Sequence, residues 1–293
     1  MSDPEPDSAS MQPGGSSGFS LTTTIKTPRP VEARLTINGP SNSHEPIPFN
    51  GLLTNSVLAS LPGAEFEELL RYLEPVSLRA GHELYSLRQK VDFAYFPETA
   101  VMSHLYVLED GSTSGALIVG SEGMVGLSAI FDSSQPGYWT QVIIGGSALR
   151  VRAEIIKQEF VRGRALQQLM LSHISARLAQ LAQKAVCNGR HRVQERLCTW
   201  LLMIQDRVNE EQLPLTHEQI AHHLGARRPG ITASCNALRE NGIISYHRGL
   251  IRILDRANLE ASACECYRAL KSQGATEDRQ RNRSPFFVTE GTS

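Results

Sequence analysis

The chain has 293 residues, 41% of them hydrophobic, and a formal net charge of −1. That length suits two domains with a core each, and the near-neutral balance leaves any affinity for nucleic acid to rest on local charge asymmetry. No apolar run approaches the roughly 18 residues of a membrane helix, and the N-terminus, MSDPEPDSASMQPGGSS, carries acids where a secretory signal needs bases; a cytoplasmic chain without a membrane partner is expected.

Residues 1–48 are rich in Ser, Pro, Gly and Thr with hardly any aromatic residues. Such a segment cannot bury enough apolar surface to order itself, and a flexible arm is expected. A β-rich domain is expected over 49–153. It begins with a helix predicted from Pro62 to Leu73, carrying Phe66, Leu69, Leu70 and Leu73 on one side. Short β runs follow at 76–78, 83–85, 93–96, 101–107, 113–119, 123–127, 138–144 and 148–151. Turn residues separate most of them, at Ala80-Gly81, Pro97-Glu98, Asp110-Gly111, Pro136-Gly137 and Gly145-Gly146. Many short strands at this interval predict a β-roll or jelly roll.

From about Ile155 the period becomes helical, and one long helix is expected over 154–189, broken by Gly189. Leu171, Ile174, Leu178, Leu181 and Ala185 step by three, four, three and four, the seam of a coiled coil, which predicts a homodimer along this helix. A plain core helix is the alternative. Leu166, Leu169 and Met170 form a second stripe that can return to the roll. A C-terminal domain is expected over 190–271. Its first helix, about His191 to Arg207, brings Val193, Leu197, Trp200, Leu201 and Ile204 to a core. A last amphipathic helix is predicted over Ala257 to Leu270, and the tail, 272–293, should fray.

The most informative stretch lies inside that domain: LTHEQIAHHLGARRPGITASCNALRENGII, Leu215 to Ile244. Thr216 can cap a helix running to Leu224, with Gln219 as its capping-box partner. Gly225 closes it and Pro229 suits the first turn of the next, about Pro229 to Asn241, which buries Ile231, Cys235 and Leu238 before Gly242. Ile243 to Leu254 then reads as two β runs joined at Arg248-Gly249. From Gln219 to Leu254 there are five arginines and one acid, Glu240. Two helices about a tight turn, an arginine at the mouth of the second and a basic hairpin predict a winged helix-turn-helix that binds double-stranded DNA.

The five cysteines, Cys187, Cys198, Cys235, Cys264 and Cys266, are an odd, scattered set that suits a reducing compartment. Cys264 and Cys266 stand two apart on a predicted helix, so they should point in different directions and not chelate together. With His82 and His104 the only histidines of the barrel, too few for a site of several histidines plus a carboxylate, no metal site is expected, and no cofactor is identified.

A β-roll, a long dimer helix and a C-terminal winged helix-turn-helix, in that order, is similar to the Crp/Fnr family of bacterial transcription regulators. The resemblance covers about residues 50 to 270. LTHEQIAHHLGARRPGITASCNALRENGII carries it most specifically; YFPETAVMSHL and VGSEGMVGL are like the family's barrel segments. It implies an α+β fold with a cyclic-nucleotide-binding-like roll, and a homodimer that sets two recognition helices in successive major grooves over a palindrome. Of the three base readers common in the family's recognition helix, only the first arginine is matched, by Arg228; Pro229 and Ala233 stand at the other two. Arg228 is therefore the main candidate for a bidentate contact to guanine, with Thr232 and Asn236 as weaker contacts. Arg227, Arg239, Arg248 and Arg252 are candidates for phosphates. In the family a Gly-Glu pair and an arginine hold a cyclic nucleotide. Here GSEGMVGLSAIFDSSQPGYWTQ inverts the pair, at Glu122 and Gly123, and no arginine lies between Gly120 and Gly146, which argues against cyclic AMP.

A DNA-binding regulator, not an enzyme, is thus the leading expectation, with the effector unknown and RNA polymerase a further partner if the effect is activation. A small-molecule sensor acting through a protein partner is the alternative. A barrel enzyme is a weaker one, since no catalytic constellation shows among the strands.

Overall fold

The computed structural model describes residues 53–87, 89–131, 137–208 and 210–272. The expected N-terminal arm, Pro136 of one expected turn and the tail beyond 272 lie outside the described residues. Two short helices open the described chain, α1 (Ser56–Ala59) and α2 (Gly63–Leu70). Asn55 caps α1 and also donates to the carbonyls of Pro97 and Gly123, at 2.9 and 2.8 Å, which ties the helix to the roll.

Among the described residues seven strands build the roll: β1 (Glu74–Leu78), β2 (Glu83–Tyr85), β3 (Phe93–Pro97), β4 (Val101–Val107), β5 (Thr113–Val119), β6 (Trp139–Ile144) and β7 (Gly146–Arg152). They pair antiparallel in two sheets, ordered β1-β7-β3 and β2-β6-β4-β5. Between the sheets lie Val76, Leu78, Tyr85, Tyr95, Met102, Val119, Val142 and Ala148, so the interior is packed with side chains. The expected strand at 123–127 does not form. Val125 makes a single bridge to Tyr95, and the chain then enters a 3₁₀ turn, Leu127–Ala129. Gly126, at φ +98°, bends the segment out of strand geometry, so its apolar residues are buried without a ladder.

Each sheet has its outer face covered. Ala94, Phe96, Leu149 and Val151 of the first pack under Val57, Leu58, Leu69 and Leu73. Residues of two later helices join them, α3 (Ala153–Val161) and α4 (Ala165–Arg190). Strands buried on both faces read as continuous apolar runs, which is why FAYFP shows little alternation. Val101, Ile118, Ile143 and Ile144 of the second sheet belong instead to the core of the C-terminal domain.

The single long helix expected over 154–189 is two. Gly163, at φ +72°, breaks the chain between α3 and α4, a conformation glycine adopts without the Cβ penalty. Gly189 does not break α4, which runs through it and ends at Arg190. The two stripes of α4 separate as their spacing predicts. Leu166, Leu169 and Met170 are buried against the roll, whereas Leu171, Leu178 and Leu181 are exposed, Leu178 to 62%. Ile174 is half-buried and Ala185 exposed.

The C-terminal domain contains α5 (Val193–Val208), β8 (Gln212–Leu213), α6 (His217–Leu224), α7 (Arg228–Glu240), β9 (Ile244–His247), β10 (Leu250–Ile253) and α8 (Arg256–Ala261). The amphipathic helix expected over 257–270 is interrupted: α8 ends at Ala261, and helix resumes only at Cys266. Asp255 caps α8 by accepting from Asn258 N at 2.9 Å. Among the described residues no helix is long and apolar enough to cross a membrane.

Candidate nucleic-acid interface

The two-helix unit is assembled by local rules. Thr216 Oγ1 accepts from Gln219 N at 3.2 Å and Gln219 Oε1 from Thr216 N at 2.9 Å, the reciprocal box that its spacing predicts. Gly225 closes α6 in the left-handed conformation, φ +56°. Arg227 is extended at the mouth of α7 and Pro229 occupies its first turn, so α7 starts one residue earlier than expected, at Arg228.

Ile231, Cys235 and Leu238 are almost wholly buried, packed in one cluster with Leu197, Trp200, Leu201, Ile204, Ile220 and Leu224. Stepping by four, four and three, Arg228, Thr232, Asn236 and Arg239 form a row along the flank of that buried face. Arg227, Arg228 and Arg239 are exposed, and Thr232 and Asn236 half-buried. The wing follows as β9 and β10, with His247 opposite Leu250 across a two-residue turn. That turn has Arg248 at φ +47° and Gly249 at +78°, the mirror-image geometry that matches strand twist. Ile244, Ile251 and Ile253 point into the core, leaving Arg248 and Arg252 exposed.

Three partners of these residues escape a spacing argument. Glu218, one position before the stretch in which the charges are counted, holds Arg228 at 3.5 Å. Both side chains are largely exposed, so this pair is worth less than about 1 kcal/mol. His217 Nδ1 lies 3.0 Å from Thr232 Oγ1, which engages that hydroxyl within the domain. The His217 ring stacks on Tyr246 at 4.1 Å and joins the first turn of α6 to the wing. Burial, aided by the nearby charge of Arg228, lowers the His217 pKa and keeps the ring neutral at pH 7. Arg252 is 3.2 Å from Glu211.

The opposite side of this domain is docked on the roll. Gly115 of β5 faces the α6 backbone so closely that a Cβ there would stand 2.8 Å from the carbonyl oxygen of His223. The His223 ring, 2% exposed, stacks on Trp200 at 5.4 Å. Lys184 of α4 donates to the His223 carbonyl at 3.3 Å, and Arg196 of α5 donates to that of Leu224. Burial above all drives the His223 pKa down to about 3.

Glu122 makes the second tie. Its carboxylate accepts from Arg207 of α5 at 2.9 and 2.8 Å, faces Arg177 of α4 at 3.5 Å, and caps the Gly120 N–H at 3.0 Å. Burial pushes the carboxyl pKa up, but Arg207 and Arg177 outweigh it and hold the group at about 2. The loop thus has cationic partners after all, supplied from 55 and 85 residues away. His104, the strand histidine, is buried with Nδ1 2.8 Å from Thr140 Oγ1, a structural placement; burial lowers its pKa to about 4.

Residues 195–262 match the family model of the Crp-like helix-turn-helix domain. A comparison with curated proteins finds no match. Among solved structures, FixK2 from Bradyrhizobium japonicum aligns with a TM-score of 0.57 at 17% identity, covering 66% of this chain and 98% of that one. A Crp/Fnr-family regulator from Eubacterium rectale aligns at 0.56 and 19%, covering 71% and 98%. Another from Thermus thermophilus aligns at 0.54 and 23%, covering 65% and 98%. The described chain therefore carries a Crp-like helix-turn-helix domain in a Crp/Fnr fold.

Proposed function

From a Crp-like helix-turn-helix domain set in a Crp/Fnr fold, we propose that this chain is a homodimeric, sequence-specific regulator of transcription that reads a palindromic DNA site with α7. The observation that carries the reading is the row of polar residues that flanks the buried apolar face of α7, with Arg228 and Arg239 exposed, Thr232 and Asn236 half-buried, and the exposed arginines of the wing following in the chain. Arg228, at the start of the helix, reads a guanine edge; Asn236 and, after exchanging its bond to His217, Thr232 make the lesser contacts. Arg227, Arg239, Arg248 and Arg252 hold phosphates and set the register.

The exposed seam of α4 supports the homodimer, since Leu171, Leu178 and Leu181 form an apolar stripe that one chain leaves uncovered. Independence from cyclic AMP is supported by the 120–126 loop, whose one carboxylate is already engaged by Arg177 and Arg207. Because the same two arginines belong to α4 and α5, Glu122 links the roll to both the dimer helix and the DNA-binding domain. A signal arriving in the roll acts by having different affinity for two arrangements of that link.

Selection of random DNA by the purified, ligand-free chain, repeated across salt concentrations, tests the reading. A palindromic consensus whose affinity falls steeply with salt is the expected result. Enrichment of one unpaired half-site would overturn the dimeric reading, and enrichment of no sequence would mean that DNA is read only once a signal has reached the roll.

A further inference from the structure

The last turn of α4 meets the segment that follows α8. Cys187 and His191 stand four apart, so the end of the helix presents both to the same side. His191 is the residue at which α4 stops, with its backbone extended and its N–H bonded to the Cys187 carbonyl at 3.0 Å. Facing them, the chain turns between Ala261 and Cys266 and brings Cys264 and Cys266 back. The expectation that these two thiols diverge assumed one continuous helix, and the interruption after α8 removes that premise.

Ligating atoms of Cys187, His191, Cys264 and Cys266 all lie within 4.8 Å of one another. Cys187 Sγ is 3.6 Å from Cys264 Sγ, and Cys266 Sγ is 3.5 Å from His191 Nδ1. A tetrahedral ion with bonds of about 2.3 Å to sulfur and about 2.0 Å to nitrogen spaces its ligands by about 3.8 Å for a sulfur pair and about 3.5 Å for sulfur and nitrogen. Both separations are met. Apolar packing of thiols gives no reason for an imidazole nitrogen to join them. Four atoms at this spacing enclose one ion and leave no room for a cluster of several.

We propose that Cys187, His191, Cys264 and Cys266 form a structural zinc site that fastens the end of α4 to the C-terminal edge of the DNA-binding domain. The surroundings suit that chemistry. His191 Nε2 lies 3.1 Å from Glu265 Oε2, the outer carboxylate that fixes the tautomer and leaves Nδ1 free for the metal. Gln183 Nε2 donates to Cys266 Sγ at 3.0 Å, and the Thr199 hydroxyl is 3.0 Å from Cys264 Sγ, placed to donate to a thiolate. On binding, the three thiols release their protons to solvent, and three thiolates with Zn²⁺ leave one net negative charge. Lys184, one turn before Cys187, lines the same small cavity as Cys187 and Cys266 and supplies the compensating cation. With all four positions taken by protein, the ion has no open place for substrate, so its role is to hold the fold. The proposal stands apart from the DNA-binding reading and is decided by metal chemistry alone.

Metal analysis of the full chain, purified reduced and without chelator, is expected to give one zinc per chain. After chelation, titration with Co²⁺ should produce the strong ligand-field bands of tetrahedral cobalt with thiolate charge transfer, and Zn²⁺ should abolish them. Cys187→Ser, Cys264→Ser, Cys266→Ser and His191→Ala should each weaken metal binding about 100-fold or more, Glu265→Gln about 10-fold. Cys198→Ser and Cys235→Ser should retain full stoichiometry. A reduced wild-type chain that holds no zinc and gives only the weak spectrum of octahedral cobalt overturns the site. So does iron with a cluster spectrum, or a Cys187–Cys264 disulfide in the metal-free protein as isolated. The cobalt titration uses the unmutated chain, so a variant that fails to fold leaves its outcome unaffected.

Discussion

The DNA-binding domain has two polar faces of opposite construction. On the side docked to the roll, His223 is buried with its backbone carbonyl taken by Lys184, and Arg207 is paired with Glu122 of the roll. On the α7 and wing side, Arg227, Arg228, Arg239, Arg248 and Arg252 stand in solvent. A desolvated polar group makes stability depend steeply on its partner and its protonation, whereas a solvated arginine contributes little to the fold and keeps its charge for a ligand. The docked face should therefore govern stability, and the open face affinity.

Acid offers the strongest way to break that contrast. His223 and His104 have folded pKa values of about 3 and about 4 because burial disfavours the charged ring. Their unfolded counterparts titrate near 6.5, so the unfolded chain takes up the protons first and stability falls as pH drops from about 6.5 towards 4. The two together should cost about 4 kcal/mol by about pH 5, measurable by urea unfolding at about pH 7.5 and about pH 5. Replacing His223 by Asn should remove about half of the dependence. Glu122 does not enter this window, since its stabilisation is lost only below about pH 4.5.

Glu122→Gln comes next, at about 3 kcal/mol, because it leaves Arg177, whose side chain is 6% exposed, and Arg207 without their shared counter-charge. Gly115→Ala should cost about 2 kcal/mol, since the new Cβ meets backbone that has to move away from β5. Thermal unfolding checks both. Arg228→Ala is the opposite case: stability should change by under about 0.5 kcal/mol, while discrimination of the operator from random DNA falls by roughly 1 to 3 kcal/mol per half-site. Competitive binding assays measure this, and equal loss on both DNAs would remove Arg228 from the base-reading role.

The same contrast explains what was legible beforehand. Thr216 with Gln219, Gly225, Pro229 and the Arg248-Gly249 turn act within a few residues of themselves, so spacing alone places the helices and the wing. The strands announce themselves by turns and apolar runs. The α4 stripes are legible too, as period does not depend on what covers it. Glu122 and the cysteine cluster are not: their partners come from 55 to 85 residues away, and no local pattern reveals a chain reversal such as the one after Ala261. The 154–189 segment misleads for a related reason, since its helical period resumes after Gly163 and conceals the break.

At the tip of the wing, Arg248 occupies the left-handed region that asparagine or glycine would fill at less cost. On the proposed phosphate-holding role, an arginine there would trade folding for function. Arg248→Asn should raise stability by about 0.5 to 1 kcal/mol by relieving the backbone. The same change should weaken DNA binding and lower the salt slope by about 1 per wing. At this one position a more robust protein would be a poorer reader of DNA, so thermostability and recognition should move in opposite directions.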